Sequence, residues 1–255
     1  MNEKTKNDFK VLSSTNNSSI ILVAPHGRIS RPRDDVRTAE ITERMQQLLN
    51  CYAVINEKYR KPNKKKSEPP FDQDKEICDL NRLNTYKDTP LYEQFVGSIR
   101  KFKKQIADSG ETPFIFHVHG ILDDNIERVC RQENLKNAEQ ISILIGTGRG
   151  NSGRSLSASQ AKVSSLITFF KKEGIFAHST ADPDYAAKKS YNLNQLFKVH
   201  YPDTKVNSFQ LEIKDTGHRD TALNASETAG RLASALLNMV EQVRVVELES
   251  LPTMK

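Results

Sequence analysis

Histidines stand at the ends of two predicted strands, where metal ligands and catalytic groups often lie. His26 follows the apolar run 20–24 and precedes a glycine, which lets a ligand approach the backbone. His117 and His119 share one face of the predicted strand 114–119, because side chains alternate along a strand. Buried imidazoles cost free energy unless a metal or a hydrogen-bond network compensates them. The pattern predicts a metal ligand at His119 and a structural or ligand-supporting role for His117, whereas His26 alone also fits a hydrogen-bonded turn histidine.

Three further polar residues have side chains suited to chemistry at such a site. Glu212 lies in the apolar segment 209–213, where burial would raise its pKa towards that of a general base. On a half-exposed strand it would instead face solvent. Arg82 can hold a carboxylate through two parallel hydrogen bonds, although a lone arginine more often makes a surface ion pair. Asp35 precedes the first predicted helix and is either a ligand or an N-cap carboxylate.

A glycine-rich loop, residues 146–153, follows another predicted strand. Gly148, Gly150 and Gly153 match the GxGxxG pattern of dinucleotide-binding loops. The acidic residue expected at the end of the next strand is missing from 175–179, and a Walker A loop would need Gly-Lys-Ser/Thr. The loop therefore does not favour nucleotide binding.

Strands alternate with helices along the chain, which is typical of a three-layer α/β domain around a mostly parallel sheet. The predicted strands are 20–24, 53–55, 114–119, 141–145, 175–177 and 209–213, and the predicted helices are 36–52, 91–107, 156–173 and 226–243. We expect a polar N-terminal arm (1–18), a single catalytic α/β domain (19–246) and a C-terminal tail (247–255). In such sheets functional sites gather at the carboxyl ends of the strands.

The composition is that of a globular protein, with 36% hydrophobic and 27% charged residues. Residues 1–10 are polar and contain no signal-peptide run, and no stretch has the length of a membrane span. The odd set Cys51, Cys78 and Cys130 contains no CxxC pair, which argues against a disulfide framework and a thiolate zinc site. We therefore expect a cytoplasmic protein with no membrane partner.

The net charge of +6 comes partly from the basic run 60–66, which two prolines follow at 69–70. Such a run is typical of a solvated loop. Nucleic-acid binding would need aromatic residues interleaved with the basic ones, and there are none in this run. We expect no nucleic-acid partner, only a mild attraction for anionic substrates.

Several short motifs occur in an order that resembles the N-formylglutamate amidohydrolase-like family, which is related to zinc carboxypeptidases and phage poly-γ-glutamate hydrolases. They are Pro25-His26-Gly27, Asp35-Val36-Arg37-Thr38, Asp79-Leu80-Asn81-Arg82, His117-Val118-His119-Gly120, Ile145-Gly146-Thr147-Gly148-Arg149-Gly150 and Gln210-Leu211-Glu212-Ile213. The resemblance implies a phosphorylase/hydrolase-like α/β/α fold with a mixed, mostly parallel sheet and one zinc ion. It implies three protein ligands by position: His26, Asp35 and His119.

The chain departs from the carboxypeptidase pattern at the acidic ligand. That pattern has a glutamate three residues after the first histidine, and here the position is Ile29. The acidic ligand must then come from further along the chain, with Asp35 preferred and Asp34 or Glu40 as alternatives.

The resemblance also implies a mechanism and a substrate class. Zinc would activate water and polarise the scissile carbonyl, and Glu212 would act as the general base. Arg82, with Asn81 beside it, would anchor a substrate carboxylate. Arg219 is a second candidate for the carboxylate or the oxyanion, and Arg149 a further candidate for substrate binding.

Other functions stay open at this point. The expected activity is hydrolysis of an amide bond in a small carboxylate-bearing substrate. A peptidase or a poly-γ-glutamate-type depolymerase would use the same residues on a larger, peptide-like substrate. A binding protein that kept the fold without catalysis, and a nucleotide-dependent enzyme using the glycine loop, are alternatives of other classes. Nothing in the sequence indicates an oligomeric state.

Overall fold

The structure, a computed structural model, describes residues 8–27, 35–63, 66–148, 156–199 and 206–249. Its strands are β1 (Phe9–Leu12), β2 (Ile20–Ala24), β3 (Tyr52–Asn56), β4 (Phe71–Asp72), β5 (Ile77–Cys78), β6 (Phe114–Ile121), β7 (Ile143–Gly146), β8 (Ala177–Ser179) and β9 (Asn207–Lys214). Its α-helices are α1 (Thr38–Leu49), α2 (Pro90–Asp108), α3 (Asp123–Gln132), α4 (Gln160–Lys172), α5 (Leu193–Val199) and α6 (Ala222–Glu249).

Seven strands form one mixed sheet in the order β1-β3-β2-β6-β9-β7-β8, and β4 pairs with β5 in a separate hairpin. The pairs β3–β2, β2–β6, β6–β9 and β7–β8 are parallel. The pairs β1–β3 and β9–β7 are antiparallel. The expectation of a mixed, mostly parallel sheet is confirmed.

Helices cover both faces of the sheet, which confirms the three-layer α/β/α architecture. One core contains residues of α1, α4 and α6 packed on Leu22, Phe116 and Phe209. The opposite core contains residues of α2 and α5 packed on Val23 and Ile115. Because both faces of the central strands are buried, their sequences are almost continuously apolar.

Three parts of the fold differ from the sequence-based expectation. Part of the predicted N-terminal arm forms β1, which pairs with β3 at the sheet edge. The helix α6 extends to Glu249, into the segment predicted as a tail. The helices α3 and α5 were not predicted, since they are only 10 and 7 residues long. Among the helices of the described chain, none is long and apolar enough to cross a membrane.

The register of β6 and β9 places the polar residues of the sheet side by side. His117 pairs with Gln210, and His119 pairs with Glu212. Register partners in neighbouring parallel strands point to the same face. The loop that contains His26 follows β2, which is the other neighbour of β6. The carboxyl ends of three adjacent strands therefore bring the candidate residues together.

Candidate metal centre and active site

Three predicted ligands meet at the carboxyl edge of the sheet. His26, Asp35 and His119 are all buried, and one ligand atom from each lies within 4.8 Å of the others. Nε2 of His119 and Nδ1 of His26 have no hydrogen-bond partner among the described residues. A buried nitrogen without a partner is costly unless something binds it. Two imidazoles and one carboxylate, with nitrogens left unpaired, fit a metal ion.

The turn that carries His26 depends on a glycine. Gly27 has φ = +104°, and a Cβ there would clash with Oγ1 of Thr38 at the start of α1. The Thr38 hydroxyl lies 3.1 Å from the carbonyl oxygen of His26 and 2.9 Å from that of Asp35. The Thr38 side chain thus connects the backbones of His26 and Asp35.

Asp35 is held by contacts from three directions. Its Oδ1 accepts a hydrogen bond from the backbone N–H of Gly120 at 3.0 Å and lies 3.4 Å from Nδ1 of His119. Its Oδ2 forms an ion pair with Lys61. Burial alone would raise the pKa of Asp35, but the ammonium of Lys61 and the nearby imidazoles outweigh it and hold that pKa well below its ordinary value.

Of the two alternatives for the acidic ligand, only Glu40 lies in the described structure, and it does not join this cluster. Glu40 points outward from α1 and pairs with Arg37 at 3.0 Å. Asp34 lies outside the described residues.

The interpretation of run 60–66 as a solvated loop is wrong for Lys61. Its side chain forms an ion pair with Asp35 and is only 21% exposed.

A second carboxylate supports the first histidine. Oδ1 of Asp79 lies 3.2 Å from Nε2 of His26. Burial alone would raise the pKa of Asp79, but the hydrogen bond and the charge interaction with His26 outweigh burial and lower the pKa to about 2. A carboxylate behind a histidine orients the ring and makes it a better ligand. The sequence placed Asp79 in a motif without assigning it this role.

Glu212 is buried beside its register partner His119, and both side chains lie on the same face of the sheet. Its Oε1 accepts a hydrogen bond from Nε2 of Gln210 at 2.7 Å. Burial raises the pKa of Tyr185, and the negative charge of Glu212 raises it further, to about 12. Tyr185 therefore lies within electrostatic reach of Glu212, in a loop whose position the sequence does not predict.

The segment with Asn81 and Arg82 pairs with a second loop. The backbone N–H of Leu83 donates to Tyr191, and the guanidinium carbon of Arg82 lies 5.2 Å from the centre of the Tyr191 ring. Nε of Arg82 and Oδ1 of Asn81 are buried and make no hydrogen bond within the described chain. An arginine positioned by stacking keeps its donors for an anion. Tyr191 had no sequence signal, since it follows no strand or motif.

The predicted substrate role of Arg219 is wrong. Its guanidinium is fully buried and donates to the carbonyl oxygens of Ile213 at 2.9 Å, Ile121 at 3.0 Å and Val36 at 3.0 Å. It also pairs with Asp215 at 3.2 Å. Because these groups occupy the guanidinium, Arg219 clamps the ends of β6 and β9 to the loop of Asp35.

Of the two remaining predicted residues, His117 lies away from the cluster and Arg149 is not among the described residues. His117 is fully buried, its Nε2 lies 3.0 Å from Oγ of Ser208, and burial lowers its pKa to about 3. This placement agrees with a structural role. Arg149 lies outside the described residues.

The glycine loop begins in a context that dinucleotide binding does not use. It follows β7, which runs antiparallel to β9 and ends at Gly146 opposite Gln210. A Cβ at Gly146 would clash with the carbonyl oxygen of Tyr185, and Gly148 donates to the carbonyl of Ala186 at 2.6 Å. Gly146 therefore allows the close approach of residues 185–186.

Comparison with known proteins identifies similar folds. No protein-family profile and no curated protein matches the chain. Among solved structures, N-formylglutamate amidohydrolase from Ralstonia eutropha superimposes with a TM-score of 0.59 and 12% identity, covering 94% of this chain and 100% of that one. A gene product of Agrobacterium tumefaciens gives 0.58 and 10%, covering 94% and 97%. A bacteriophage poly-γ-glutamate hydrolase gives 0.50 and 15%, covering 92% and 89%.

The chain thus has the three-layer fold of N-formylglutamate amidohydrolase and poly-γ-glutamate hydrolase, as the order of its motifs implied.

Proposed function

We propose that the chain is a zinc-dependent hydrolase that cuts an amide bond in a carboxylate-bearing substrate, as N-formylglutamate amidohydrolase does. The observation that carries the proposal is the cluster of His26, Asp35 and His119, with buried unpaired nitrogens, beside the buried carboxylate of Glu212. A structural zinc site would have four protein ligands, whereas three leave one coordination position for chemistry. Hydrolases with the same fold support the reaction type.

The ligand set defines what the ion contributes. His26, Asp35 and His119 would hold it, with Asp79 orienting His26 and Lys61 close to Asp35. A zinc ion at such ligands lowers the pKa of water and polarises a carbonyl oxygen.

Glu212 would handle the proton in this reaction. Its carboxylate would accept a proton from the attacking water and deliver it to the leaving nitrogen, which requires one oxygen to face the substrate. Oε1 accepts the hydrogen bond from Gln210. This hydrogen bond would hold the carboxylate in position through both proton transfers.

Arg82 would bind the substrate carboxylate. Its guanidinium is stacked on Tyr191, and its Nε is buried without a partner in the described residues. Binding the carboxylate here would hold the neighbouring amide in one orientation and convert binding energy into rate. The expected substrates are small N-acyl amino acids, with γ-glutamyl and peptide-like compounds in the same chemical class.

A cytoplasmic location is part of the proposal. Cys51, Cys78 and Cys130 are all free and buried, in keeping with a reducing compartment.

Metal content and turnover test the proposal together. Purified protein should contain about one zinc per chain, and it should hydrolyse N-formylglutamate or another N-acyl amino acid. His119→Ala should lose zinc, because it removes a ligand. Glu212→Gln should keep zinc and lose turnover, because an amide cannot accept the proton. Protein that takes up no zinc would refute the proposal, and a fully active Glu212→Gln variant would refute the role of Glu212.

A further inference from the structure

A row of buried side-chain amides connects Glu212 with the segment of Asn81. Nε2 of Gln210 donates to Oε1 of Glu212 at 2.7 Å. Oε1 of Gln210 accepts from Nδ2 of Asn192 at 3.2 Å and from Nδ2 of Asn81 at 3.4 Å. Gln210 is 1% exposed and Glu212 is 5% exposed. Gln210 is therefore shared between the general base and the substrate segment.

The direction of this row is determined at both ends. A carboxylate has only acceptor atoms, so Glu212 requires the NH₂ group of Gln210 and turns its oxygen the other way. Oδ1 of Asn192 accepts from the backbone N–H of Asn194 at 2.8 Å, so the NH₂ group of Asn192 faces Gln210. Both constraints give the Gln210 amide the same orientation.

That orientation determines which end of Asn81 remains for a ligand. Since Asn81 meets an oxygen of Gln210, its NH₂ group is committed there. Its other end is Oδ1, which is buried and has no hydrogen-bond partner in the described part of the chain. Oδ1 accepts hydrogen bonds and cannot donate them. The next residue, Arg82, presents Nε, a donor that is likewise buried and unpaired.

We propose that Gln210 orients Asn81 so that its Oδ1 accepts a hydrogen bond from a substrate N–H, which makes Asn81 a specificity-determining residue for secondary amides. The inference rests on the proposed function, and it narrows the substrate class. An acceptor on Asn81 beside a donor on Arg82 matches a molecule with an N–H next to a carboxylate. N-acyl amino acids have this arrangement, whereas esters and N-alkylated amides lack the N–H.

A matched pair of substrates tests the inference. The zinc-loaded protein is assayed with N-formylglutamate and with N-formyl-N-methylglutamate, which differ in the N–H. Wild type should prefer the first by on the order of 10- to 100-fold in kcat/KM, because the methylated substrate leaves Oδ1 buried and unpaired. The ratio is insensitive to inactive protein or incomplete zinc loading, because both substrates report on the same molecules. A merely structural role would not change it.

Three variants separate the hydrogen bond from a steric effect. Asn81→Leu keeps the size of the side chain, lacks the acceptor oxygen and should reduce the preference to within about 3-fold. Gln210→Met should also reduce it, because the Asn81 amide can then rotate. Asn84→Leu, an exposed asparagine three residues away, is the control and should leave it unchanged.

The outcomes distinguish this inference from the proposed function. Equal kcat/KM values for the two substrates in wild type would refute the inference and leave the hydrolase intact. A preference that persists in Asn81→Leu would show exclusion of the methyl group by size and refute it as well. If zinc-loaded wild type hydrolyses neither these substrates nor any other N-acyl amino acid, the proposed function fails and the inference fails with it.

Discussion

Replacing Arg219 with methionine should destabilise the protein more than any surface arginine change. Arg219→Met removes a fully buried guanidinium that donates to three main-chain carbonyls. A buried acceptor without a donor costs about 1–3 kcal/mol. Water entering beside Asp215, which is 34% exposed, would recover part of this. Three such acceptors would cost about 3–9 kcal/mol together, and with this recovery we expect the free energy of unfolding to fall by about 3–5 kcal/mol.

Urea unfolding of the zinc-free protein at pH 7, followed by circular dichroism, measures this loss. Arg244→Met is the matched control, because Arg244 pairs with Glu111 on the surface of α6 and is 42% exposed. Such a pair contributes about 0–1 kcal/mol. A loss below about 1 kcal/mol for Arg219→Met, or equal losses in the two variants, would refute the view of Arg219 as a clamp.

Three further predictions concern the site and a neighbouring loop. Asp79→Asn should weaken zinc binding by on the order of 10- to 100-fold, measured by competition with a chelator, because it removes the charge behind His26; unchanged affinity would contradict this. Gly27→Ala should lower the melting temperature and the zinc affinity together, since the new Cβ has no room. The third concerns Glu133, whose pKa is lowered because hydrogen bonds from Thr180, His178 and the backbone outweigh its burial. Its contribution to stability is complete above its unfolded pKa of about 4.3 and is lost as the pH falls through the folded value. The melting temperatures of wild type and Glu133→Gln should then differ most above about pH 4.3 and converge as the pH falls below it, and a constant difference would contradict the assignment.

The residues found from the sequence are those whose position depends on a strand. His26 follows β2, while His119 and Glu212 lie within β6 and β9, so the period of the strand and its end predict where each points. The alternation of strands and helices likewise predicts the layers. These periodic patterns are local, and they extend over enough residues to identify a strand or a helix from the sequence.

Residues missed or misassigned depend on contacts between distant segments. Asn192 meets Gln210, which lies 18 residues later in the chain, from a position just before α5 that no strand pattern predicts. Lys61 belongs to a basic run that resembles solvated chain, and its partner Asp35 is 26 residues earlier. Arg219 was assigned to substrate from its charge and its nearness to Glu212, which do not reveal that three carbonyls surround it. The edge strand β1 has only four residues in a polar context, too few to show a period.

The ion pair between Lys61 and Asp35 has a consequence for how the protein matures. Asp35 is buried and Asp79 is only 18% exposed, and two such carboxylates without a counter-ion would oppose folding. Lys61 supplies a positive charge from within the chain that lowers the pKa of both. With the zinc site proposed above, this charge balance would not depend on the metal ion, unlike in small domains that collapse only around zinc. Folding would then precede metal loading.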